Sequence, residues 1–393
     1  MASENSTALI QMPKGKKCLV QLGAICLTVS IACYGLALST LITPILEGMD
    51  AMGYVGLFSV FGSIGITIMT PIGGKLGDIF GRRNIVLVSG ITCIVFGVGI
   101  AFAPNFPILM ICRLGVGLAQ GAFMAAPYII VGMINEKKDV PKAMGYLAMA
   151  LSIGGFGGSI VAGVFTDMGM LTTAILFPAI PLAIGVALIG ALYPNDKSAV
   201  KGKIDMGGIV LLIIALCGII LPLNYGATMG WMNPFVLGGL AIGIIFTVLL
   251  IKYEKKQEQP IIPVRMFQHK RYLAFVLVGF ICCFYRGAMD VYAPLGAIIV
   301  IGTSTVVAGA LQYPRTIVPM FLPAIAGVWV GERKTNMWKA MAIATAFSAF
   351  PMLAMGFTMQ SASYIIVILW LLHLPVLQKV TVGYLLLQQH RVA

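Results

Sequence analysis

Gly74-Lys75-Leu76-Gly77-Asp78-Ile79-Phe80-Gly81-Arg82-Arg83 is the stretch on which the reading of this chain turns. It is a short charged segment set between two long apolar ones. Glycines stand where two helices must approach closely, one acid sits in the middle, and basic residues close the far end. This chemistry predicts a polar loop between two membrane-crossing helices. Asp78 is expected at a helix N-terminus, where the positive end of the helix dipole would hold it. Arg82 and Arg83 are expected to pair across an interface or with lipid phosphate.

The surrounding chain fits that reading. Of 393 residues, 59% are hydrophobic and 10% charged, with a mean hydropathy of +0.98. A soluble domain carries roughly 25% charged residues. Apolar runs of about 20 residues recur, each long enough to cross the hydrocarbon core. Spans are predicted near 18–40, 51–71, 84–104, 107–133, 143–165, 171–193, 206–227, 231–251, 272–293, 304–330, 337–357 and 361–380. They must be helices, because an unpaired backbone group in hydrocarbon is too costly. The fold class is therefore all-α integral membrane.

The net charge of +13 reports topology. Every Lys and Arg except Arg113, Arg286 and Arg315 falls in the N-terminal tail, the even-numbered loops or the C-terminal end. The odd loops hold Glu47, Asp50 and Asp167 and no base. Such asymmetry in short loops places the basic side in the cytoplasm. A multi-pass protein of the cell membrane with both termini cytoplasmic is expected, with the lipid bilayer and no nucleic acid as partner. Span 1 is too long for the apolar region of a cleaved signal. The eight cysteines lie in spans or at their edges without metal-ligand spacing and read as small packing residues.

Within the spans, the rare polar residues carry the chemistry. Span 4 contains Arg113-Leu114-Gly115-Val116-Gly117-Leu118-Ala119-Gln120-Gly121. A lipid-facing arginine costs about 2.5–3.5 kcal/mol on insertion scales, so Arg113 should face a polar cavity or snorkel to an interface. Gly117 and Gly121, one turn apart, offer a flat face to a neighbouring helix. Span 5 carries Gly145, Gly154, Gly158, Ser159, Ala162 and Gly163. Arg286 and Asp290 share one helix face in span 9, Arg315 sits near mid-depth in span 10, and His373 in span 12 could titrate near neutral pH.

These motifs resemble those of major facilitator superfamily transporters. The Asp78 segment is similar to the family's G-x-L-x-D-x-x-G-R-[RK] pattern between spans 2 and 3. Arg113 and Gly117 are similar to its span-4 motif R-x-x-x-G. The span-5 glycines are similar to the antiporter motif G-x8-G-x3-G-P-x2-G-G, with Ser159 in the proline place and Ala162 in a glycine place. Lys142-Ala143-Met144-Gly145, Asp205-Met206-Gly207, and Glu254 followed by Pro260-Ile261-Ile262-Pro263 are similar to the fourteen-span drug:proton antiporter branch. That branch has an aspartate in span 1; the matching region here, Tyr34 to Pro44, has no acid.

The resemblance implies a two-lobed bundle of about 12 helices that works by alternating access. It implies export of small amphipathic or cationic compounds, driven by inward proton flow. Gly74, Asp78, Gly81, Arg82 and Arg83 would form the gate. Arg113, Arg286, Asp290 and Arg315 would serve proton coupling or line the cavity, and Gly145, Gly154, Gly158 and Gly163 would form the hinge. The partners implied are a small-molecule substrate and protons, with a monomer expected and no cofactor or metal. A worn copy of the first loop, Pro323 to Lys334, sets span 10 against span 2. Residues 1–193 then form an N-terminal lobe, 194–271 an inserted helix pair and linker, and 272–393 a C-terminal lobe ending after four helices. A shortened fourteen-span carrier and a complete twelve-span carrier both fit. A carrier of a specific metabolite or anion, and a transport-incompetent homologue, are the alternative functions. No nucleotide loop, metal cluster or Ser/His/Asp set argues for an enzyme.

Overall fold

The computed structural model describes residues 12–136, 138–195 and 205–257, with Ile10 and scattered positions from 260 to 339. The described residues are all-helical, with no strand among them. They fall into two compact units, one of Met12–Ile130 and Gly157–Gln268, the other containing Val131–Phe156. Arg286, Asp290, Arg315 and His373 lie outside the described residues.

The helices are α1 (Lys14–Glu47), α2 (Val55–Phe80), α3 (Arg82–Ala101), α4 (Phe106–Phe123), α5 (Ala126–Ile134), α6 (Val140–Asp167), α7 (Leu171–Leu176), α8 (Ala179–Leu192), α9 (Met206–Met229) and α10 (Pro234–Glu254). Among the described residues eight segments are long and apolar enough to span a membrane, α4 with α5 and α7 with α8 each counting as one. Each overlaps one of the first eight predicted spans, with ends that differ by up to nine residues in α2. The breaks inside the two composite spans fall beside Pro127 and Pro178, where a proline cannot donate to the helix ladder. The shortest of the spans made of one unbroken helix, α3, has 20 residues, about 30 Å at 1.5 Å per residue, the thickness of the hydrocarbon core. One face of α3 exposes Val88, Ile91 and Val95 at helical spacing. An apolar stripe of that kind is at home only against lipid or another chain.

α2 is the hub of the larger unit. One face carries Val60, Ile64, Ile68 and Ile72 at four-residue intervals, packed against Leu212 of α9, Leu250 of α10 and Ile261. Another face is glycine-lined and lies almost backbone to backbone on α4: a Cβ at Gly65 would come within 2.7 Å of the Leu118 nitrogen, and one at Gly121 within 2.6 Å of the Ile66 carbonyl. The flat face expected on Gly117 and Gly121 is thus used, and α2 is the neighbour that uses it. α9 and α10 pair through Gly218 and Gly243, which meet at the same kind of distance.

The expected loop at 74–83 is a correction. α2 continues to Phe80 and α3 begins at Arg82, so Gly81 alone is non-helical. With 26 residues, α2 is about 39 Å long and outruns the hydrocarbon core by some two turns. Lys75 and Asp78 stand in those turns, and after Pro71 no further proline interrupts the helix before Gly81. Gly81 turns the chain with φ 90° and ψ 136°, a conformation that an L side chain resists. Gly74 lies in regular helix with open space where a Cβ would be.

At the same end of the unit, Asp205 caps α9: its Oδ1 accepts from the Gly208 amide at 2.9 Å and from the Tyr253 hydroxyl of α10 at 3.0 Å. Glu254, which closes α10, is only 2% exposed. The two charged residues singled out in the inserted segment therefore meet at one end of the α9–α10 pair.

Two sets of substitutions check these assignments by thermal unfolding in detergent. Gly81→Ala should destabilise by about 1–3 kcal/mol through backbone strain, whereas Gly74→Ala should be neutral or stabilising by up to about 1 kcal/mol. Asp205→Ala should cost about 1–2 kcal/mol as a lost cap and Tyr253→Phe about 0.5–1.5 kcal/mol. The double variant should lose less than the two added, because both remove the same hydroxyl–carboxylate bond.

Candidate functional site

The charged end of α2 is built as a clasp. Asp78 stands in the last turn of α2, not at a helix N-terminus, and Arg82 is the first residue of α3. The Arg82 Nη2 donates to the Asp78 Oδ1 at 2.5 Å across Gly81. Each charge sits at the unfavourable end of its own helix, an acid at a C-terminus and a base at an N-terminus. Such placements cost about 0.3–1 kcal/mol apiece at exposed ends. Facing each other, the two charges offset both penalties. The Arg82 side chain is 10% exposed and that of Asp78 is 52% exposed, so the pair is open to water on its acidic side. Its net worth falls in the modest range of surface ion pairs, about 0–1 kcal/mol. Arg83 is half-buried beside it, and its Nε has no hydrogen-bond partner among the described residues.

Arg113 lies eight residues into α4, about 12 Å from the helix start at 1.5 Å per residue. It does not snorkel. It is 8% exposed, and its guanidinium carbon stands 5.0 Å from the centroid of the Phe58 ring on α2. A Cβ at Gly62, one turn further along α2, would lie 2.5 Å from that carbon. Phe58 therefore supplies a face and Gly62 a slot. A desolvated cation–π contact is worth about 2 kcal/mol, comparable to the cost of taking an arginine into the membrane. No carboxylate contacts Arg113 among the described residues, and its Nε is buried without a hydrogen-bond partner. Cys93 of α3, fully buried, lies within its electrostatic reach. Tyr34 of α1, in the region where the motif comparison found no acid, points its hydroxyl at Gly97 of α3, where a Cβ would lie 2.7 Å away.

The span-5 glycines all fall on α6, with Gly145, Gly154 and Gly158 buried and Gly163 half-buried with open space around it. A Cβ at Gly158 would come within 2.9 Å of the Cα of Cys33, so α1 and α6 touch there through their backbones. One residue on, the Ser159 hydroxyl lies 2.9 Å from that of Thr40 of α1. The position that departs from the proline pattern thus carries a cross-helix hydrogen bond. In the connection before α6, Lys138 lies 3.1 Å from Glu136. That hydrogen bond holds the Lys138 ammonium above its ordinary pKa, and both groups are largely exposed.

Sequence reasoning found Asp78, Arg82 and Arg113 but missed Phe58, Gly62, Thr40 and Tyr253. The i, i+4 spacing of Phe58 and Gly62 does put them on one helix face. Nothing in the local sequence marks that face as the one meeting Arg113.

The chain is similar to the efflux pump dotC of Dothistroma septosporum, 27% identical over 270 residues, which cover 67% of this chain and 46% of that protein. It is similar to the multidrug transporter protein MdtP of Bacillus subtilis (strain 168), 26% identical over 266 residues, 66% of this chain and 48% of that one. It is also similar to the quinolone resistance protein NorB of Staphylococcus aureus (strain MRSA252), 28% identical over 285 residues, 70% and 58% of the two chains. The chain thus spans about half the length of these relatives. Among solved structures, the human organic anion transporter MFSD10 (TETRAN) superposes with a TM-score of 0.65 at 15% identity, over 95% of this chain and 85% of that one. The proton:xylose symporter XylE does so with a TM-score of 0.64 at 14% identity, over 95% and 82%. At such identities the likeness is one of fold. The family model described as Major Facilitator Superfamily matches residues 22–387, nearly the whole length, and the chain belongs to that superfamily.

Proposed function

We propose that the chain is a secondary exporter of small amphipathic or cationic compounds, coupled to inward proton flow and working by alternating access. The observation that carries this reading is the kinship to proteins named as an efflux pump, a multidrug transporter and a quinolone resistance protein. The site geometry supports it. Asp78 and Arg82 close a weak clasp over a one-residue joint, suited to a gate. Arg113 holds a positive charge inside the bundle, suited to coupling. Gly154 and Gly158 give α6 a smooth face, suited to a hinge. The basic end, which carries Lys14, Lys75, Arg82 and Lys252, would face the cytoplasm of a cell whose membrane the protein crosses. Residues 1–193 would act as one lobe and 272–393 as the other, with α9 and α10 as the inserted pair. The glycine-to-glycine pairing of those two helices supports treating them as one hairpin.

A second reading, a carrier of a specific metabolite or anion, is favoured by one observation: Arg113 has no carboxylate contact among the described residues. Competition separates the two. An exporter of the proposed kind loses ethidium efflux to unrelated hydrophobic cations, while a metabolite carrier is indifferent to them.

The test is pH-gradient-driven ethidium efflux from proteoliposomes containing the full chain. Arg113→Ala should slow it about tenfold or more, equivalent to losing at least about 1.4 kcal/mol of coupling. Asp78→Asn should slow it about two- to fivefold, as expected for a half-exposed pair worth under about 1 kcal/mol. Equal rates in all three proteins, or none in the unsubstituted chain, would overturn the reading.

A further inference from the structure

We propose that Phe58 is the positioning residue of Arg113: the aromatic face stands where a carboxylate would otherwise pair with a buried arginine, and it holds the guanidinium in place while leaving its N–H donors unspent. The assignment rests on the reading of Arg113 as part of the coupling machinery. Its physical basis is independent of that reading. Phe58 is 1% exposed and Arg113 8%, so the pair is withdrawn from water and from lipid. The cation lies 5.0 Å from the ring centroid, inside the roughly 6 Å reach of such contacts. Gly62 shows that the neighbouring backbone is shaped for the group, since a Cβ there would lie 2.5 Å from the guanidinium carbon and the Nη2 and 2.7 Å from the Nε.

The difference from an ion pair is chemical. A carboxylate would engage the guanidinium through one or two directed hydrogen bonds and could itself take up a proton. A ring face does neither. Among the described residues the Nε is buried without a hydrogen-bond partner, and no carboxylate contacts the guanidinium. The guanidinium edge is thus left for an acceptor that arrives during the cycle, from the substrate or from another helix, and Phe58 fixes the direction in which that edge points.

The experiment replaces Phe58 with phenylalanines bearing one, two and three ring fluorines, which drain the ring quadrupole with little change of shape. It does so in the unsubstituted chain and in Arg113→Met. Melting temperature in nanodiscs should fall with each added fluorine when Arg113 is present and stay flat in Arg113→Met. In proteoliposomes, Phe58→Trp should keep at least about half the ethidium rate, and Phe58→Leu should lower kcat about tenfold with KM little changed, the scale of a lost desolvated cation–π contact. A fluorine series flat in both backgrounds, or equally steep in both, would sink the pairing. A Phe58→Leu protein with the parental kcat would sink the positioning role. If the unsubstituted chain moves no ethidium, the transport reading fails, and the melting series still decides the pairing.

Discussion

The placement of Phe58 against Arg113 depends on α2 meeting two sets of neighbours at once. Its glycine face must lie against α4 closely enough that no side chain fits between them. Its isoleucine stripe must meet α9 and α10. A helix can present both only if the two sets of residues occupy different faces, and the alternation of Gly62 and Gly65 with Val60, Ile64 and Ile68 does this within two turns. Hydrophobic force does not drive helices together in lipid, where tails are as apolar as leucine, so close packing has to supply the attraction. Larger residues at Gly65 or Gly121 would separate α2 from α4, and with them Phe58 from Arg113.

Two charged features solve the same electrostatic problem in opposite ways. At the basic end, Asp78 and Arg82 stand against their own helix dipoles and are offset by each other, with water completing the solvation of the acid. Inside the bundle, Arg113 is buried and meets no acid among the described residues, and the face of an aromatic ring stands beside it instead. The first arrangement is weak and reversible. The second is buried and has no solvent to exchange with.

Much of this was legible in the residues. The lengths of the apolar runs gave the first eight spans, because the thickness of a bilayer leaves little freedom in helix length. Asp205 was legible as a helix opener, since a carboxylate before a run of apolar residues has few other uses. The segment at 74–83 was misread as a loop because charge in a membrane protein is easily taken for the end of a helix. Lys75 and Asp78 instead mark where the helix leaves the hydrocarbon while continuing as helix. The partner of Arg113 was not legible. Phe58 looks like any apolar residue of a span, and its role comes from the rotation of α2 about its axis, which long-range packing sets. Ser159 stands in the proline place of the motif, and nothing in the sequence shows that its hydroxyl reaches Thr40, 119 positions away in the chain.

The single-residue connection at Gly81 has a mechanical corollary. A flexible linker would let α2 swing while α3 stayed still, dissipating the displacement in slack chain. One glycine provides a pivot without slack, so tilting α2 must drag the start of α3 with it, like two rods sharing one pin. Torque applied anywhere along α2 is therefore delivered to the base of α3.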